Sequence, residues 1–337
     1  MTFLIQQTLI YAIPLMIVAL AGVFAERSGI INLALEGIMI FGAFIGVLFV
    51  REVQQLEVFQ LAKEMDNYLA LQGLELMAMA AAAVMGAIFS LLLSFASVNL
   101  RAVQTIGGTA LNLMAPAIVL FFIRIIANQN TMTMASGDSA SWFMIKKAMF
   151  GYGRTDKMGF LGSTFIDKTY LATYVCILLF VILSIILYKT RFGLRLMACG
   201  EHPQAADSVG INVYKMRWAG VLISGFLGGI GGIVFITAGV SEWRFEYGVA
   251  GFGFLSLAVM IFGQWKPQRI ALAALLFGLF RALSNVYMGF GFLAAMNIPS
   301  PVYNMMPYII SLIVLAFTSK RSRAPKAEGI PYDKGQR

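Results

Sequence analysis

Hydrophobic positions in this chain fall in long unbroken blocks, without the alternation of a half-buried strand. A helix that crosses a bilayer needs about 20 mainly apolar residues. Blocks of that kind cover 3–24, 30–50, 76–97, 106–127, 170–188, 218–240, 249–263, 270–288 and 302–317. They are too long and too continuous for the dyad pattern of an outer-membrane barrel. The pattern therefore predicts an all-α, polytopic integral membrane protein with about 8–10 transmembrane helices. The first block lacks a basic leading region and a small-residue cleavage site, and it leads straight into more membrane sequence, which argues against a cleavable signal.

Composition agrees. With 337 residues, 59% hydrophobic and 12% charged, and a mean hydropathy of +0.80, the chain carries more apolar surface than one soluble core needs. Residues 1–318 read as the transmembrane domain, with an extracytoplasmic loop at 128–169, a cytoplasmic connector at 189–217 and a basic cytoplasmic tail at 319–337. The orientation comes from the basic residues. Lys189, Arg191, Arg195, Lys215 and Arg217, then Lys266 and Arg269, then Lys320, Arg321, Arg323 and Lys326 all fall on one side by parity, which the positive-inside rule makes cytoplasmic. The net charge of +9 is then a topogenic signal and not a nucleic-acid surface. Nine full crossings place the amino terminus outside, and one re-entrant or split segment places it inside.

Several polar residues interrupt the apolar blocks. In "ERSGIINLALEGIMIFGAF", Asn32 and Glu36 stand four apart, a spacing that puts them on one helix face, and Gly29 and Gly37 allow close approach or a break. A carboxylate inside a spanning helix is costly and marks a pathway or a structural network. Asn112 precedes Pro116, which kinks a helix and frees a carbonyl. Arg281 and Asn285 are again four apart, and the arginine needs an acceptor such as Glu36, Glu242 or Glu246. These five, Asn32, Glu36, Asn112, Arg281 and Asn285, are the candidates for the substrate path or a subunit interface. Gly225, Gly228, Gly229 and Gly232 have small-xxx-small spacing, which points to tight helix packing.

Residues that carry catalysis are missing from the pattern. The two cysteines, Cys176 and Cys199, give neither a disulfide nor a metal framework, and the single histidine, His202, has no nucleophile or ligand at a recognisable spacing. There is no Walker A loop. The expectation is a non-catalytic transport subunit with no cofactor and no metal, driven by a partner or an ion gradient.

The connector carries the most specific pattern. "TRFGLRLMACGEHPQAADSVGINVYKMRWAG" reads as a basic entry, a turn at "CGEHP", a short helix "PQAADSV" with Pro203 at its first position, and Gly210 to end it. It resembles the cytoplasmic segment of ABC importer permeases of the branched-chain amino acid and simple-sugar class, a match carried by Gly193, Ala198, Gly200, Glu201, Pro203, Ala205, Ala206, Gly210 and Ile211. The Glu26–Asn32–Glu36–Gly37–Met39 stretch is similar to the signature of the nucleoside-type members, the guanosine-type among them.

The resemblance implies a type II importer permease fold, with Gly193, Gly200, Glu201, Pro203, Ala205, Ala206 and Gly210 coupling to an ATPase. It also implies a second homologous permease subunit, a cytoplasmic ABC ATPase subunit and an extracytoplasmic substrate-binding lipoprotein, in a bacterial cytoplasmic membrane. Nucleosides lead as the substrate class, before simple sugars and branched-chain amino acids. An ion-coupled secondary transporter is the alternative from another class, and it would show paired broken helices in two corresponding halves.

Overall fold

The computed structural model describes residues 2–65, 67–133, 143–153, 158–237, 242–244, 248–286 and 324–335, with isolated positions between 299 and 313. Helices follow the apolar blocks: α1 (Thr2–Arg27), α2 (Leu35–Val53), α3 (Glu57–Glu64), α4 (Tyr68–Ser94), α5 (Gln104–Ala127), α6 (Phe160–Phe165), α7 (Leu171–Lys189), α8 (Arg191–Glu201), α9 (Pro203–Ser208), α10 (Val213–Thr237), α11 (Phe252–Phe262) and α12 (Pro267–Val286). A π-helical turn over Phe95–Asn99 extends α4. The block at 302–317 is described only in part, and Asp138, Arg154, Asp156, Lys157, Glu246, Lys320, Arg321 and Arg323 lie outside the described residues.

α1 and α10 form the centre. Residues 12–26 of α1 are buried, and α10 packs on α1, α2 and α4. Its glycines make that approach possible, as their spacing predicts. A Cβ at Gly229 would stand 2.1 Å from the Ala82 carbonyl oxygen of α4, and one at Gly232 the same distance from the Met39 carbonyl oxygen of α2. With the driving force of water absent from the bilayer, such backbone-to-backbone contact is what holds spanning helices together. α5 and α7 leave large apolar side chains exposed, as a lipid or protein neighbour requires.

The bundle has two ends. At one, Gln6 near the start of α1 donates to the Ser163 and Asp167 carbonyls at 2.9 and 2.8 Å, and β1 (Thr131–Thr133) pairs antiparallel with β2 (Glu242–Arg244). At the other, Arg27 at the end of α1 meets Glu201 of the connector at 3.2 Å. The amino terminus therefore sits at the same end as the 128–169 loop, opposite the connector. Five described helices, α1, α4 with its extension, α5, α7 and α10, are long and apolar enough to cross a membrane alone. α11 is not: its 11 residues rise about 16 Å, roughly half of a hydrocarbon core of about 30 Å.

Candidate functional site

The stretch between α1 and α2 explains its polar residues. Positions 28–34 are not helical, so the expectation that Asn32 and Glu36 share a helix face is corrected. The Asn32 carboxamide oxygen accepts the Ala34 N–H at 3.1 Å, a local bond that competes with helix formation, and α2 begins only at Leu35. Backbone left open by this break lies among packed helices, where it needs partners. Two side chains supply them, through three hydrogen bonds. Gln104 Oε1 accepts the Ile31 N–H at 2.7 Å, Asn112 Oδ1 accepts the Gly37 N–H at 2.8 Å, and Asn112 Nδ2 donates to the Leu33 carbonyl at 2.6 Å. Asn32, fully buried, donates through Nδ2 to Ser224 Oγ of α10 at 2.8 Å.

Glu36 performs the same service for α11. Its two carboxylate oxygens accept the Gly251 N–H at 3.0 Å and the Gly253 N–H at 2.6 Å. An anion at a helix start satisfies open donors and meets the positive end of the helix dipole, and each such bond contributes about 1.5–3 kcal/mol. Gly251 has φ +75 and Gly253 a Cα hydrogen facing Glu36: a Cβ there would meet the Glu36 Cα at 2.4 Å. Arg281 lies over the Phe252 ring at 6.0 Å, and the Tyr308 hydroxyl lies 3.3 Å from where a Cβ at Gly251 would stand. The structure thus brings Asn32, Glu36, Asn112 and Arg281 around the broken start of α2 and the start of α11. Asn285 follows on α12, with its side chain outside the described residues, as is that of Glu242.

The connector is equally legible. Thr190 caps α8 by accepting the Gly193 N–H at 3.3 Å, and α8 continues through Glu201, so the expected turn at "CGEHP" narrows to His202. α9 starts with Pro203 at its first position, and Gly210 follows its end with φ +82. The signature residues divide by direction. Gly193, Gly200, Pro203 and Ala206 are buried and face the bundle. A Cβ at Gly193 would stand 2.0 Å from the Leu187 carbonyl oxygen and one at Gly200 2.3 Å from that of Arg27, so only glycine admits the approach. Ala205, Gly210, Gln204 and Val209 face outward, Val209 with 74% exposure.

Behind α8 and α9 lies the segment 324–335. Ala327 N–H donates to the Gly200 carbonyl at 2.9 Å and Gly329 N–H to that of Gly29 at 3.2 Å. Tyr332 is buried with Cys199, Ala206 and Val213 and packs on Tyr214 at 5.3 Å between ring centroids. Arg217 donates through Nη1 to the Ile330 carbonyl at 2.9 Å and approaches the Tyr332 ring. Asp333 forms a two-pronged pair with Arg101 at 2.8 and 3.1 Å. Arg217, one of the connector's topogenic charges, is only 1% exposed and is the post around which the tail wraps. Burial pushes the Glu328 carboxyl up to about 7 against the pull of Arg27, while the Gly335 N–H and Arg101 hold the Asp333 carboxyl low.

Comparison with known proteins places the fold in context. Residues 4–317 match the family described as the branched-chain amino acid transport system permease component. The chain belongs to that permease family. It is 39% identical over 336 residues, 99% of this chain and 97% of the relative, to the nucleoside ABC transporter permease protein NupC of Lactococcus lactis. To the guanosine ABC transporter permease protein NupQ of Bacillus subtilis it is 39% identical over 339 residues, 100% of this chain and 98% of the relative. A second Lactococcus lactis permease, NupB, is 24% identical over 267 residues, 78% of this chain and 67% of that one. No solved structure matches. The permease is a multi-pass protein of the bacterial inner membrane.

Some of this permease's polar framework escapes a reading by blocks. Glu75, set just outside the block at 76–97, is fully buried in α4 near the Ala172 backbone and Thr237, with neither oxygen in a well-formed hydrogen bond. Trp265 donates its indole N–H to the buried Glu26 carboxylate, so Glu26 belongs to the packed interior and not to a wet turn. Gln104 and Ser224 carry no signal beyond being polar in apolar surroundings. Cys199 is buried as well, its thiol pushed up to about 11.

Proposed function

We propose that this permease is the membrane-spanning subunit of an ATP-driven importer for nucleosides and forms half of the substrate path. The carrying observation is the connector, a short helix whose inner face is fixed to the bundle by Gly200, Pro203 and Ala206 and whose outer face, Ala205 and Val209, is exposed. A rigid projection with a small apolar face suits a soluble partner that pushes on it, and the full-length likeness to nucleoside permeases supports an ABC ATPase in that role. By positive charge the connector end is cytoplasmic.

The permease then hydrolyses nothing itself. A second homologous permease, for which NupC and NupB of one organism offer a parallel, supplies the other half of the path, and an extracytoplasmic binding lipoprotein delivers the substrate. Alternating access follows from movement of α8 and α9 passed to α1 through Arg27–Glu201 and to the seam of Asn32, Glu36, Asn112 and Arg281. A nucleoside is polar and uncharged, and a seam of two amides, in which the Glu36 carboxylate is engaged with the start of α11, offers polar contact beside a capped half-helix. The experiment is uptake of labelled guanosine by the assembled transporter, with ribose and leucine as competitors. ATP-dependent uptake that only nucleosides suppress supports the reading. Suppression by ribose or leucine alone overturns the substrate class, and uptake driven by an ion gradient without an ATPase overturns the transporter class.

A further inference from the structure

A groove of about 820 Å³ opens between α1, α7 and α12, within the range of roughly 300–1,000 Å³ common for ligand clefts. Its floor is Ala12, Ile13 and Met16 of α1, and its walls are Ile177, Phe180, Val181 and Ile185 of α7 against Ala271, Ala274 and Leu275 of α12. The chemistry changes at the end nearer the connector, where Tyr188, Lys189, Lys266 and Gln268 form the mouth. Tyr188 donates its hydroxyl to the Trp265 carbonyl, tying the two rims together. Among the described residues no acid lines the groove. Among the described residues the ion pairs are Arg27–Glu201, Arg51–Glu52 and Arg101–Asp333, so neither lysine is neutralised.

From Ile177 to Lys189 α7 rises about 18 Å at 1.5 Å per residue, close to one leaflet of a hydrocarbon core of about 30 Å. The groove is thus an apolar slot one leaflet deep with two cations at the membrane surface. A protein partner fits this poorly, because interface cores are depleted in lysine and two uncompensated ammonium groups are costly to cover. A phospholipid with a net negative head fits both halves, since its chain fills the slot and its phosphate meets the lysines.

We infer that the groove between α1, α7 and α12 binds an anionic phospholipid, with the headgroup held by Lys189 and Lys266. The lipid fills the space beside α1, the helix that ends at Arg27 and the connector, and so braces it.

The test uses the assembled transporter in nanodiscs of phosphatidylcholine with a minor fraction of phosphatidylglycerol, extracted gently and analysed by native mass spectrometry. Wild type is expected to retain phosphatidylglycerol over phosphatidylcholine, and Lys189→Gln/Lys266→Gln to lose that preference by about 30-fold, the equivalent of two near-surface lysine attractions. An Ala271→Phe variant, which fills the slot and leaves the lysines, is expected to lose retention as well. Equal retention of both lipids by wild type, or a preference unchanged in the double variant, overturns the assignment. In a parallel sample, brominated phosphatidylglycerol is expected to quench a tryptophan placed by Ile185→Trp. Absence of quenching in the assembled complex means that a protein neighbour covers the groove and also overturns it.

Discussion

Arg217 and Ile330 are joined by a 2.9 Å hydrogen bond from the guanidinium to the carbonyl, which fixes the segment after the last membrane block to the second turn of α10. The same segment holds Gly200 of the connector and Gly29 of the turn after α1. Ending the chain after Thr318 is therefore expected to leave a permease that inserts but transports several-fold less. Tyr332→Ala, which removes a buried ring where such a loss costs about 3–5 kcal/mol, is expected to lower the melting temperature of the purified complex in the same direction. Uptake and melting temperature measured on both variants check this, and an intact melting temperature in Tyr332→Ala contradicts the packing role.

The two faces of α9 separate docking from folding. Ala205→Arg and Val209→Asp change outward positions, so each is expected to abolish copurification of the ATPase while the permease keeps its melting temperature. Ala206→Arg forces a charge against Tyr332 and Cys199 and is expected to lower stability as well as transport. ATPase retained in all three variants would refute the docking face.

Glu36→Ala leaves the Gly251 and Gly253 N–H groups without their acceptor, at about 1.5–3 kcal/mol for each charged hydrogen bond. Uptake and complex yield are expected to fall together, with Glu36→Gln intermediate because it keeps one acceptor oxygen. Glu26→Ala removes a single described hydrogen bond, that from Trp265, and is expected to do less harm. A scan of yield and labelled guanosine uptake orders the three.

Glu328 gives the tail a pH dependence with a definite sign. Its folded carboxyl titrates near 7, raised chiefly by burial and opposed by Arg27, above an ordinary value of about 4.3. The docked state thus holds the proton more tightly, so its contribution is complete below about 4.3 and is lost as pH rises through 7. Protease cleavage of the tail is expected to be faster at pH 8 than at pH 6, and Glu328→Gln is expected to flatten that difference. The groups facing Glu328 that share in the effect are Glu26 and Arg27.

Topology is testable with a reagent that does not cross membranes. A cysteine at Ser208 is expected to react only after permeabilisation, and one at Lys147 from outside. Native Cys199, buried and with its thiol pushed up to about 11, is expected to stay silent in both and so cannot serve as the reporter its position in the connector suggests. Reaction at Ser208 in sealed cells would invert the orientation.

What the sequence made legible has a physical pattern. Long apolar blocks, the glycine spacing of α10 and the Pro203–Gly210 frame of α9 are local signals that the described helices follow, although the block at 249–263, expected to span, yields only the 11-residue α11. Asn32 misled because an asparagine four residues before Glu36 looks helical by spacing, whereas its own carboxamide closes a turn on Ala34. The partners of the seam stand far away in sequence: Gln104 is 73 residues from Ile31, Ser224 is 192 from Asn32, and Gly253 is 217 from Glu36. No local pattern announces such pairs. Glu75 was missed for a simpler reason, since a charge marks the end of a hydropathy block even when the helix runs on and buries it.

Residues 324–335 emerge from the ribosome only after every membrane block has been made, because synthesis runs from the amino terminus. Until they arrive, the carbonyls of Gly29 and Gly200 and the guanidinium of Arg217 lack the partners they have in the finished protein. The clasp therefore works as a clock on biogenesis. A nascent permease already threaded through the bilayer has a loose connector, and it gains a firm handle for an energy-supplying partner only once its own translation has passed residue 335.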